Sequence, residues 1–122
     1  LIMTSTLRDM TTLIKAVGTG ELLSKESASE QLEDLSKGLP GADHLAQVGY
    51  GLGIAVVNGW VLQNPIFNGY EGIAAYLPSQ QISIVIDNTH GPNATEGTSI
   101  ATDIFKALVA YLAPTNVPQT PP

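Results

Sequence analysis

The hydrophobic pattern changes period at Val48, and that switch limits the fold more than any other feature of the chain. Upstream, apolar residues recur at helical spacing. Downstream, Val48, Tyr50, Leu52, Ile54 and Val56 alternate with Gly49, Gly51, Gly53 and Ala55, the period of a strand. One face of that run is bulky and the other nearly bare, so a close neighbour is expected on the bare side. Asn58-Gly59 follows, then Trp60-Val61-Leu62. Asn-Gly between two such runs predicts a hairpin, because a type I′ turn needs positive φ at both positions. A third run, Ile66 to Leu77, is interrupted at Asn68-Gly69 and Gly72. Pro78-Ser79-Gln80-Gln81 then turns the chain into Ile82, Ile84 and Ile86. These runs predict an antiparallel meander of three to four strands.

Helices flank the meander. Thr6 with Asp9 three residues on forms a cap ahead of the stripe Leu7, Met10, Leu13, Ile14 and Val17, and Gly18 and Gly20 end it. Ser24 caps a second helix with Ala28, Leu32 and Leu35 inward and Glu26, Glu30, Glu33 and Asp34 outward; Gly38, Pro40 and Gly41 close it. Thr95 is the expected cap of a last helix, whose stripe Ile100, Ile104, Phe105, Leu108, Val109 and Leu112 is wide enough to lie on a sheet. The expected class is α+β: a three- to four-stranded antiparallel sheet, two preceding helices and a C-terminal helix packed on it. Residues 1–113 form the expected folded portion. Residues 114–122, with four prolines, form an extended, flexible tail.

Composition removes several functions. The 122 residues suit one domain, which buries roughly two thirds of its unfolded surface. The 43% apolar content does not suit a disordered chain. Absence of cysteine excludes disulfides, thiolate zinc sites and thiol catalysis. Five cations against eleven carboxylates, a net charge of −6, suit neither a phosphate backbone nor an anionic lipid surface. No apolar run approaches the roughly 20 residues of a membrane span. His44 and His90 have no second ligand at metal spacing and read as loop residues. The acidic residues of the second helix read as a solvated face, and Asn93-Ala94-Thr95, a glycosylation match, as a capping loop. The alternating glycines near residue 50 open no helix, so they are no phosphate loop. Trp60 reads as core or a sheet-edge contact, not a stacking platform.

Three blocks carry a resemblance. Thr4-Ser5-Thr6-Leu7-Arg8-Asp9-Met10 followed by Gly20-Glu21-Leu22-Leu23-Ser24 resembles the S-T-x-x-D-[LM] … G-x-L-L-S stretch of serine β-lactamase-like hydrolases. That superfamily includes class C β-lactamases, D-alanyl-D-alanine carboxypeptidases (among the penicillin-binding proteins) and family VIII esterases. Tyr50-Gly51-Leu52-Gly53-Ile54 resembles the strand that follows there. Asn68-Gly69-Tyr70, with Ala75-Tyr76-Leu77-Pro78 and the strand Gln81 to Ile86, resembles the next hairpin. The blocks occur in family order and span residues 1 to about 112.

The resemblance implies the C-terminal portion of such a domain, acting through a covalent serine ester. The nucleophile and base of that chemistry lie in an S-x-x-K box and a tyrosine in a Y-x-N box; neither occurs in this sequence. Both are expected upstream, in keeping with a chain that opens Leu1-Ile2-Met3 and reads as a piece of something longer. The third box, [KH]-[ST/N]-G, falls by spacing on Gln63-Asn64-Pro65. Gln63 brings no ionisable group, Pro65 replaces the glycine, and the Ile66 N–H is the remaining oxyanion candidate. Gln63, Asn64 and Pro65 are therefore the expected substrate-binding positions, and Ile66 the backbone donor.

By the same resemblance, β-lactams, D-Ala-D-Ala peptides or small esters are the expected substrates, with the altered box favouring esters. No cofactor or metal is implied. Expected partners are the remainder of the same hydrolase domain or another copy of this chain, in an extracytoplasmic or cell-envelope setting. The alternatives are a binding pseudoenzyme of the same fold and an inactive stable fragment; the segment alone should be inactive.

Overall fold

In the computed structural model, residues 3–33, 48–67, 69–93 and 99–118 are described. Helix α1, Leu7–Thr19, begins where expected: the Thr6 hydroxyl accepts from the Asp9 N–H, and Gly20 closes it in the left-handed region. Helix α2, Lys25–Leu32, is capped by Ser24. Leu35, Asp34 and the expected stop at residues 38–41 lie outside the described residues, as does His44.

Six strands follow: β1, Val48–Tyr50; β2, Ala55–Val57; β3, Trp60–Gln63; β4, Ile66–Phe67; β5, Tyr70–Leu77; and β6, Ile82–Thr89. All pairings are antiparallel, as in the expected α+β meander, but the strand count exceeds three to four. Two corrections account for the difference. The alternating run from Val48 is a hairpin, not one strand: the chain reverses over residues 51–54, with Gly53 at φ +72° and the Gly51 N–H donating to Ile54 O. Glycines placed at strand period here serve a turn. The run from Ile66 is also divided, with its tight turn at Gly69, while Gly72 interrupts nothing and lies inside β5.

The β3–β4 break is local. Gln63 lies opposite Ala74 and Ile66 opposite Glu71, so both strands keep one register along β5. Pro65 has no N–H to donate, which removes one ladder bond, yet its carbonyl still accepts from Gly72. The sheet is in effect a five-rung meander whose third strand is nicked at Asn64-Pro65. The Asn58-Gly59 turn between β2 and β3 forms as expected, with φ +46° and +88°.

Helices cover both faces. On one, α1 buries Ile14 against Ile54, Val61, Ala74 and Tyr76. The bare side of the first hairpin meets α2: the Leu52 N–H donates to Gln31 O, and a Cβ at Gly51 would lie 2.0 Å from that oxygen. On the other face, helix α3, Ile100–Leu112, buries Ala101, Phe105, Val109 and the following Ala113. Trp60 is fully buried there, with its ring edge-on to Phe105 at 5.1 Å.

Two expectations about the C-terminal region change. Ser99 caps α3 by accepting from the Thr102 N–H; Thr95 lies outside the described residues. Of the expected stripe only Phe105 and Val109 are buried on the sheet; Ile100, Ile104, Leu108 and Leu112 remain 40–47% exposed. Beyond the helix, Pro114–Asn116 is a turn of 3-10 helix where an extended tail was expected. The Trp60 indole donates to Asn116 O at 2.9 Å, Asn58 donates to Val117 O, and Asn116 donates back to Asn58 O.

Candidate functional site

Gln63, Asn64 and Pro65, the expected substrate-binding positions, sit where β3 hands over to β4. Side chains at 63 and 65 share the α1 face with Gly72 and Ala74 opposite, following the two-residue period of the strand. Together with Thr6, Leu7 and Met10 at the start of α1, and with Asp87 on β6, Gln63 and Pro65 border a groove of about 370 Å³. Its walls are mostly aliphatic, and Asp87 is its one charged residue among those lining it.

The side chain of Gln63 is occupied. Its amide donates to Gly53 O at 2.6 Å and to the Tyr50 hydroxyl at 3.0 Å, tying the first hairpin to the end of β3. Asn64, Pro65 and Ile66 are exposed. Because the Gly72 N–H bonds Pro65 O, residues 65 and 72 form a hydrogen-bonded pair of the ladder. The next pair, Ile66 and Glu71, is then non-hydrogen-bonded, which points the Ile66 N–H away from β5 toward the open edge. Pro65 has therefore not diverted the strand path from β3 into β4.

A polar cluster escaped the sequence reading. Glu71 is buried in β5, on the α3 face. Its Oε1 accepts from Asn88 Nδ2 at 2.7 Å and from the backbone N–H groups of Ile100 and Ala101 at 2.8 and 3.2 Å. Oε2 lies 3.0 Å from Nε2 of His90, which approaches off the line of a good hydrogen bond. Burial pushes the carboxyl upward, but Asn88, His90, Ser99 and the Ala101 N–H outweigh it and lower its pKa from 4.5 to about 2. The carboxylate thus satisfies orphan donors at the start of α3, where the helix dipole also favours an anion. A lone acid in an otherwise apolar run, Tyr70-Glu71-Gly72-Ile73-Ala74-Ala75, was the available signal. His90 is therefore more than a turn residue: it closes one side of this cluster.

Among the described residues, no group of three or more His, Cys, Asp or Glu could hold a metal ion, and no helix is long and apolar enough to cross a membrane. A scan against models of protein families matches none, and a search of curated proteins returns no match.

Proposed function

We propose that this chain is the C-terminal portion of a serine β-lactamase-like hydrolase and forms one wall of its substrate cleft. The observation that carries the reading is convergence. The start of α1, the nick at Gln63-Asn64-Pro65 and the facing part of β5 all border one groove, and each belongs to or adjoins a block of the resemblance. The serine, lysine and tyrosine of acyl transfer would come from residues outside this sequence. Ile66 N–H would serve as a backbone oxyanion donor, and Gln63, Asn64 and Pro65 would line the substrate. With no cation in the groove lining, a neutral ester suits it better than a carboxylate-bearing β-lactam.

A second reading, a binding pseudoenzyme, is favoured by one specific feature: the Gln63 amide is spent on Gly53 and Tyr50 and offers no charge. Labelling the gene's full product with a fluorescent penicillin and with a fluorophosphonate, read by intact mass, separates the two. The hydrolase reading expects one serine adduct outside this segment and none on the 122-residue chain. No adduct on the full product overturns it in favour of the pseudoenzyme.

A further inference from the structure

Helix α3 carries two apolar stripes. Ala101, Phe105 and Val109 meet the sheet, while Ile100, Ile104, Leu108 and Leu112, with Tyr111 beside them, form a second stripe at i, i+4, i+8 and i+12 that belongs to neither core cluster among the described residues. These five residues are 40–86% exposed. At 100° per residue, Asp103 and Lys106 fall on other sides of the helix, so the stripe carries no charge along its length.

We infer that this outer stripe of α3 is the interface between two copies of the chain, packed antiparallel about a two-fold axis near residue 106. The spacing is self-complementary: turning one helix end over end sets Ile100 against Leu112 of the other copy and Ile104 against Leu108. Two i±4 ridges interdigitating is the commonest helix packing, and an isologous contact of this kind closes at two subunits. The exposed surface of the five side chains is roughly 500 Å² per copy, a large patch for a monomer. Pairing two such patches buries at most roughly 1,000 Å², which at full closure reaches the lower bound for a specific interface. A chain of net charge −6 associates with itself only where its charges are kept away, and this stripe meets that condition. The inference does not rest on the hydrolase reading, since it uses α3 alone.

Sedimentation or light scattering on the 122-residue chain provides the test. A concentration-dependent dimer is expected, with Leu108→Glu raising the dissociation constant by at least about tenfold, equivalent to the loss of one central interface contact. Ile104→Ser shortens the same stripe without adding charge, and serves if Leu108→Glu loses its helical signal. The cysteine-free background makes orientation testable. An oxidised mixture of Ile100→Cys and Leu112→Cys should cross-link between the two variants. Ile100→Cys alone should not, since antiparallel packing separates its two copies by roughly 18 Å along the axis. A monomer throughout the micromolar range overturns the interface, as does a dimer that both seam variants leave intact. Ready self-cross-linking of Ile100→Cys overturns the antiparallel arrangement.

Discussion

Oε2 of Glu71 and Nε2 of His90 lie 3.0 Å apart, the carboxylate closed to solvent and the imidazole about one fifth exposed. The pair joins the start of β5 to the residue after β6, while the other carboxylate oxygen holds the first N–H groups of α3. One side chain thus fixes where the last helix starts relative to the sheet.

That arrangement sets an acid limit on stability. The folded carboxyl titrates at about 2 against 4.5 as its ordinary value, so its contribution is complete above about pH 4.5 and is lost as pH falls toward 2. Thermal unfolding of the wild-type chain should steepen its pH dependence in that window. Glu71→Gln should flatten the curve there and unfold earlier at pH 7. Glu71→Ala, which strands the Ile100 and Ala101 donors, should lower the pH 7 midpoint by on the order of 10 °C. An unchanged slope between pH 4.5 and 2 in Glu71→Gln would remove the carboxylate from the acid response.

The Trp60 indole ties the turn at Pro114–Asn116 to the core. Removing residues 114–122 takes away the indole's acceptor and opens the ring to water, and should cost about 1–3 kcal/mol in urea unfolding. The sole tryptophan reports it directly, with an emission shift to the red. Equal stability and unshifted emission in the truncated chain would contradict the docking.

Two glycines of the first hairpin should respond differently to alanine. At Gly51, a Cβ meets Gln31 O at 2.0 Å, so Gly51→Ala must push α2 away and should cost about 1–3 kcal/mol. At Gly53, no atom lies within 4 Å and only the positive φ resists, at about 1–2 kcal/mol. Amide exchange separates the mechanisms: Gly51→Ala should expose the Leu52 N–H bonded to α2, and Gly53→Ala should not.

What the sequence disclosed follows from where the structural reason is local. Caps at Thr6 and Ser24, the Asn58-Gly59 turn and the burial of Trp60 depend on neighbours or on size, and all were legible. The hairpin inside the Val48 run was not, because glycines at alternate positions satisfy both a strand period and a turn. The Glu71 cluster was invisible for another reason: its donors come from residues 88 to 101, and no short-range pattern records a contact across 17 to 30 positions. In the sequence, Trp60 to Leu62 and Ile66 onward read as separate runs; that Pro65 merely nicks one rung in unbroken register needed the partner strand.

Gln63 lines the candidate cleft while its amide ties the first hairpin to the end of β3, so replacing it should cost local order. Its amide bonds Gly53 O and the Tyr50 hydroxyl from a half-buried position, so Gln63→Ala should lose about 0.5–1.5 kcal/mol. The larger effect is local. Without the amide, the turn at residues 51–54 is released from the end of β3, and its backbone resonances should shift and exchange faster while those of β5 and β6 stay fixed. Gln63→Lys tests the chemistry of the same position. A lysine cannot accept, but it can donate to Gly53 O, so it should recover part of the stability while placing a cation at the groove beside Asp87. If the wild-type groove favours neutral esters because it lacks that cation, Gln63→Lys should strengthen binding of a small carboxylate and leave binding of its methyl ester nearly unchanged. Chemical-shift titration of the two ligands reads both. Equal responses to acid and ester would show that the charge at this position does not select the ligand.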